Sequence, residues 1–195
     1  MKITVIGLGR MGAWLAALLS AKGHDVSGFD ISGRQVQGVA SAADLKQAVA
    51  GESDLLINAV PLDKTMEVFK EVTPLLSSKT VLVDLCSVKT GLPEFYETCG
   101  LEFCSLHPMF GALPQHMQTL EGENAVVVNA GHKISREFFC ELFSSMNARV
   151  FEYGFKEHDE AMAYALSVPF ALSFLFASTL KPETVPGTNF NKHLA

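Results

Sequence analysis

The chain has 195 residues, 48% of them apolar and only 18% charged, with a formal net charge of −6. That length fits one domain, or one plus part of another, and the charged share falls below the globular average of about 25%, leaving apolar surface for a partner. The acidic balance excludes a typical nucleic-acid binder, which carries a basic patch, but not a protein that holds an anion through local groups. Four cysteines (Cys86, Cys99, Cys104, Cys140) form no C-x-x-C pair and no metal-type spacing. No signal-peptide pattern opens the chain. A cytoplasmic protein with reduced thiols and no bound metal is the expectation.

In chain order, residues 2–6 form a short β-branched run ending in Gly7-Leu8-Gly9-Arg10-Met11-Gly12. Met11, Leu15, Leu18 and Leu19 then recur at helical spacing, with Gly23 as a natural stop. Strands are predicted over 25–30, 54–60 (ending at Pro61), 80–85, 101–106, 125–129 and 149–153. Helices are predicted over 42–50, 64–76 and 135–146. Such alternation implies βαβ units and a mainly parallel sheet. Past Gly154 the pattern changes to one long apolar helix, 157–180, then a turn-rich stretch, 181–191, and what reads as the opening of another helix at 190–195. The expected architecture is α/β: a Rossmann-type doubly wound sheet (1–153) followed by a shortened, all-helical dimerisation region (154–195). The stretch 161–180 is marginally long enough to span a bilayer. A helix buried at a subunit interface is preferred, because an exposed face of that kind exceeds what soluble monomers carry.

The glycine motif has the context a dinucleotide fingerprint requires: a strand before it, a helix after it, and an acidic residue, Asp30, at the end of the second strand. Gly7 permits the tight turn, Gly9 the approach of a pyrophosphate, and Gly12 close helix–sheet packing. Arg10 and Met11 open the helix whose N-terminus receives the phosphates. Val60 and Pro61, at the next strand end, complete the predicted cofactor site. The Asp30 carboxylate suits ribose hydroxyls and repels a 2′-phosphate, favouring NAD, while nearby Arg34 leaves NADP as a second choice.

Two strand-end segments carry the candidate chemistry, Asp84-Leu85-Cys86-Ser87-Val88-Lys89 and His107-Pro108-Met109-Phe110-Gly111. Ligands of open α/β sheets bind outside the strand carboxyl ends. Neutral imidazole is a natural acceptor for a hydroxyl proton, which points to His107 as a base. Ser87 either holds the same hydroxyl or caps a helix. Lys89 lies near a substrate anion or shapes the turn. Met109 and Phe110 wall a ring or pack the turn. His24, His116 and His132 are read as solvent-facing, and Phe138, Phe139, Leu142 and Phe143 as helix-spaced core.

Together the glycine motif, the serine–valine–lysine and histidine–proline–x–x–glycine segments, and Glu157-His158-Asp159-Glu160-Ala161-Met162-Ala163 resemble the prephenate dehydrogenase family, including its arogenate-using relatives. The resemblance covers essentially the whole chain. It implies NAD-dependent oxidative decarboxylation of prephenate, or of arogenate, on the route to tyrosine. By the same match His107 accepts the ring-hydroxyl proton and Ser87 hydrogen-bonds that hydroxyl. Ser87, Lys89, Met109, Gly111 and His158 fall to the substrate site, and His158 with Asp159 opens the helical domain. Family members continue through further helices that dimerise and supply a basic residue for the substrate carboxylate. That role is left to a partner subunit, to Lys192 or His193, or unfilled. Residues 166–170 lack the histidines that some relatives carry there. A β-hydroxyacid or imine-type reductase and a non-catalytic nucleotide-binding module are the alternatives. A small-molecule substrate, a homodimer, and neither nucleic acid nor membrane are the expected partners.

Overall fold

The protein is described by a computed structural model covering residues 1–179. The predicted turn-rich stretch 181–191, the helix opening at 190–195, and the candidate carboxylate ligands Lys192 and His193 lie outside the described residues. The elements run β1 (Lys2–Ile6), α1 (Arg10–Ala21), β2 (Asp25–Phe29), β3 (Ala40–Ser41), α2 (Leu45–Val49), β4 (Leu55–Asn58), α3 (Leu62–Val72), β5 (Val81–Asp84), α4 (Leu92–Cys99), β6 (Phe103–Pro108), β7 (Asn124–Val128), α5 (Lys133–Ser145), β8 (Arg149–Tyr153), α6 (Phe155–Met162) and α7 (Val168–Thr179). The eight strands form one sheet in the order β3-β2-β1-β4-β5-β6-β7-β8. All neighbours are parallel except β6 and β7. The predicted mainly parallel, doubly wound α/β sheet is what the chain forms.

β4 and β5 are buried at every residue, because helices cover both faces of a parallel sheet and leave no strand side for water. On one face Leu15 and Leu19 of α1 and Phe139 and Phe143 of α5 pack with Val5, Ile57, Val83, Leu106 and Val127. On the other, Phe69 and Val72 of α3 and Tyr96 of α4 pack with Ile6, Leu56 and Leu82. The strand order reverses between β1 and β4, so the connections leaving these adjacent strands diverge and open a crevice at their carboxyl ends.

Several elements differ from expectation for physical reasons. α4 (Leu92–Cys99) is absent from the elements predicted between the strands at 80–85 and 101–106. In the structure Gly91 is the left-handed N-cap residue (φ +85°) and Pro93 sits in the first turn, where its missing N–H costs nothing. β6 runs through His107 instead of stopping before it, because antiparallel β7 pairs His107 with Val126. His116 is buried, not solvent-facing: its ring packs edge-on against Phe110 and its Nε2 lies 3.3 Å from Glu123. His24 and His132 are half-buried. The helix predicted over 157–180 is interrupted by a π-helical turn, Ala163–Ser167. It precedes Pro169, which cannot donate to the carbonyl four residues back.

Residues Met1–His158 form one compact unit, and a second begins at Asp159. In the second, Tyr164, Phe170 and Phe174 are each more than 70% exposed. By length and composition Phe155–Thr179 is also apolar enough to cross a membrane.

Gly12 makes the fold testable at the β1–α1 turn. A Cβ there would fall on the Gly7 carbonyl oxygen and 2.9 Å from the Ala59 side chain. Gly12→Ala is therefore expected to push α1 off the sheet and cost about 1–3 kcal/mol, read as a lower urea midpoint. Gly9→Ala, whose Cβ meets nothing within 4 Å, should fold almost as well as the parent.

Candidate active site

The crevice between the β1 and β4 ends has a volume of about 550 Å³ and is lined by Gly7, Gly9, Arg10, Met11, Asp30, Ala59, Val60, Pro61, Phe110 and Gly111, among others. Every predicted cofactor residue except Gly12 lines it, and Gly111 joins from the segment after β6. Gly12 acts underneath, letting α1 approach the turn. Gly7 takes a φ of +86°, and a Cβ on it would stand 2.8 Å from the Ala59–Val60 peptide. Both glycines are thus required by backbone proximity. Gly9 is the N-cap of α1 and no side chain caps that end. Its N–H groups and partial positive charge are directed at the crevice without any lysine. A second hollow of about 460 Å³ continues past Asp30 and Ile31 toward Leu45, Lys64 and Val68.

Asp30 is held in place by the chain itself. Its Oδ2 accepts from Leu8 N at 2.7 Å, and its Oδ1 accepts from Ser32 N at 2.9 Å and the Ser32 hydroxyl at 2.5 Å. Partial burial favours the neutral acid. The hydrogen bonds from Ser32 and Leu8, with the nearby Arg34 charge, outweigh it and hold the carboxyl below its ordinary value. Ser32 was missed as a site residue. An Asp-x-Ser turn, in which the serine returns to the carboxylate, is the signal that could have found it.

The strand-end segments divide into a chemical part and a supporting part. Asp84, fully buried at the end of β5, accepts from Lys89 Nζ at 2.6 Å, Tyr96 Oη at 2.8 Å and Cys86 N at 3.0 Å. Lys89 also donates to the Leu106 carbonyl at 2.7 Å. Only 1% of Lys89 is exposed, so its charge serves the interior. The substrate-anion reading of Lys89 gives way to the turn-shaping one, because an ammonium paired with a buried carboxylate is not offered to the crevice. Burial, reinforced by the Asp84 charge, holds the Tyr96 phenol well above its ordinary value, so it donates. Burial likewise pushes the Cys86 thiol up to about 11, which leaves no thiolate beside Ser87 at neutral pH. Ser87 itself is half-buried in the loop that leaves β5. It does not cap α4, whose N-cap is Gly91.

His107 stands near the carboxyl end of β6, with 6% of its surface exposed, and its Nδ1 lies 2.9 Å from Nε2 of fully buried His158. The neighbouring turn sets that distance. Gly154 N is bonded to Glu157 Oε2, and Phe155 packs on the Tyr96–Phe103 aromatic stack, whose centroids are 4.1 Å apart. His158, one helical turn after Phe155, is thereby brought to His107. The structure replaces direct substrate contact for His158 with contact to His107, since a residue with no exposed surface cannot line an open pocket. Met109 is half-buried. Phe110 both lines the crevice and packs edge-on against Trp14 at 5.2 Å, so the wall and packing readings both hold for it. Among the described residues no cluster of three or more His, Cys, Asp or Glu is placed to hold a metal ion.

A glycine turn, an acidic β2 end and a crevice at the strand-order reversal define a Rossmann-type nucleotide-binding domain. Residues 15–138 match the family model described as "Prephenate dehydrogenase, nucleotide-binding domain". The chain belongs to the prephenate dehydrogenase family. It is 30% identical to the T-protein of Haemophilus influenzae, over 84% of this chain and 41% of that one. It is 29% identical to the probable arogenate/prephenate dehydrogenase of Methanocaldococcus jannaschii, over 94% and 43%. The chain thus spans less than half the length of these two curated relatives. Among solved structures, the Aquifex aeolicus prephenate dehydrogenase in complex with hydroxyphenyl propionate and NAD+ superposes with a TM-score of 0.81 at 19% identity, covering 100% of this chain and 77% of that one. An imine reductase from Myxococcus stipitatus superposes with a TM-score of 0.69 at 19% identity, over 91% and 63%. At these identities the superpositions speak to fold.

The Lys89–Asp84 pair yields a stability prediction. Lys89→Ala leaves a buried carboxylate short of its cation and should cost about 3–5 kcal/mol, measured by urea denaturation. A loss below 1 kcal/mol would show that the pair is not buried in solution.

Proposed function

We propose that the chain is the cofactor-binding and base-carrying part of an NAD-dependent prephenate or arogenate dehydrogenase that serves tyrosine biosynthesis in the cytoplasm. One observation carries the reading: a histidine fixed at the same carboxyl edge of the sheet as the glycine-turn crevice, two strands away in the order β4-β5-β6. The crevice fits a dinucleotide, because Gly9 leaves open room where a side chain would intrude and Asp30 presents an ionised carboxylate. Gly7, Gly9, Arg10 and Met11 would receive the pyrophosphate, Asp30 the ribose hydroxyls, and Val60 and Pro61 the opposite wall. Bound NAD+ supplies the hydride acceptor.

His107 accepts the proton of the substrate's ring hydroxyl, and Ser87 hydrogen-bonds the same oxygen. As the carbinol carbon gives up its hydride, the ring carboxylate leaves as carbon dioxide and its bonding pair completes the aromatic ring. His107 then returns the proton to the phenolate. Aromatisation drives the step, so the protein's work is positioning and proton transfer. Met109 and Gly111 belong to the ring pocket in this proposal. The four cysteines are all free thiols, which suits a reducing compartment.

The exposed apolar side chains past Asp159 support a homodimer formed through the helical region. An apolar stretch of this size is covered in a stable soluble protein.

Turnover with prephenate and with arogenate, each against NAD+ and NADP+, tests the activity. His107→Asn should lower kcat on the order of 10²- to 10⁴-fold with little change in NAD+ affinity. Equal turnover by the variant would remove His107 from the chemistry. NAD+ binding without turnover of either acid would favour a non-catalytic module. Sedimentation at micromolar concentration should give twice the 21.1 kDa chain mass. A clean monomer, or recovery only in membranes, would overturn the dimer.

A further inference from the structure

The contact between His107 Nδ1 and His158 Nε2 at 2.9 Å constrains the chemistry beyond placing a base. A hydrogen bond between two ring nitrogens contains one proton. If His158 donates it, neutral His107 carries its own proton on Nε2 and is a donor at that nitrogen. If His107 donates it, Nε2 of His107 bears a lone pair. A base that accepts a proton at Nε2 therefore requires the second arrangement. That arrangement also survives the reaction: as imidazolium, His107 keeps its Nδ1–H on His158, and the bond strengthens as it becomes charge-assisted. The first cannot survive it, because protonating Nδ1 would set two N–H groups against each other.

We propose that His158 is a positioning residue that holds His107 in the Nδ1–H tautomer, leaving Nε2 as the accepting atom. Water does not compete for the contact, since His158 is fully buried and only 6% of His107 is exposed. The backbone keeps the rings in register. His107 is locked in β6 opposite Val126, and His158 N is bonded to the Gly154 carbonyl at 2.8 Å in the first turn of α6. The inference rests on the proposed role of His107 as base, and it assigns His158 no contact with substrate.

The test separates the two ideas by reading the tautomer without substrate. In two-bond 1H–15N correlation spectra of 15N-histidine-labelled full chain, His107 should show a protonated Nδ1 and a bare Nε2 near neutral pH. His158→Gln places a carbonyl oxygen close to where Nε2 lay and should keep both that signature and turnover within a few-fold. His158→Phe fills the space without an acceptor. It should shift His107 toward Nε2–H and lower kcat on the order of 10²-fold with KM little changed. A protonated Nε2 on His107 in the parent, or a signature unmoved by His158→Phe, would overturn the proposal even if turnover is observed. A correct tautomer in a chain that turns over no substrate would uphold the positioning and defeat the function instead.

Discussion

The buried carboxylate of Asp84 is the constraint on which the active edge of this sheet depends. A carboxylate with no solvent contact is costly unless charge and hydrogen bonds surround it, and here three donors, two from one loop and one from α4, do so. Cys86 N comes from the loop leaving β5, Lys89 from its far end, and Tyr96 from α4. Lys89 reaches on to the Leu106 carbonyl, next to His107. One charge thereby ties the Ser87 loop, the helix behind it and the strand carrying the proposed base. Buried ion pairs contribute little net stability compared with a well-packed apolar replacement. What this one supplies is placement, since breaking it leaves an uncompensated charge and so penalises any other arrangement of the loop.

The opposite half of the edge is shaped by close backbone approach. Gly7 and Gly12 let the β1 turn, the Ala59–Val60 peptide and α1 approach to distances that any Cβ would prevent, and that approach aims the helix N-terminus at the crevice. A chain of net charge −6 can therefore offer a local anion site through oriented backbone dipoles, while Asp30 keeps a negative charge one strand away. Leu8 N and Ser32 satisfy Asp30 before any ligand arrives, so the carboxylate is pre-oriented.

What could be read from the sequence follows the range of each interaction. The glycine turn and strand alternation are local and periodic, and they gave the sheet, the crevice and all but one of its predicted cofactor residues directly. Lys89 stood between a substrate anion and a turn in the sequence, and only the fold decides for the turn by showing that its ammonium meets a carboxylate five residues back in the interior. His116 looked like a loop residue and is held inside by Phe110 and Glu123 and by Trp14, whose indole N–H donates to the His116 carbonyl across 102 residues of sequence. α4 was hidden because its boundaries use the residues that also end helices. The pairing of His107 with His158 spans 51 residues, and no periodicity reports such a contact.

That pairing also explains why the compact unit runs to His158 and not to Gly154, where the sequence pattern changes. A fold boundary placed by composition falls where strands give way to helix. The physical boundary falls later, because the first turn of α6 is bound into the sheet domain: Phe155 by the Tyr96 and Phe103 rings, His158 by His107. The glycine turn, the crevice, Asp30, Ser87, His107 and His158 all lie within that single unit. Cofactor positioning and proton transfer, as proposed, need only contacts already made there. Recognition of the substrate's distant carboxylate needs a cation, and the strand-end segments offer none for it, since Lys89 is committed to Asp84. The proposed chemistry thus separates physically into a part set by the sheet edge and a part that must be supplied by residues beyond His158 or by a second copy of the chain.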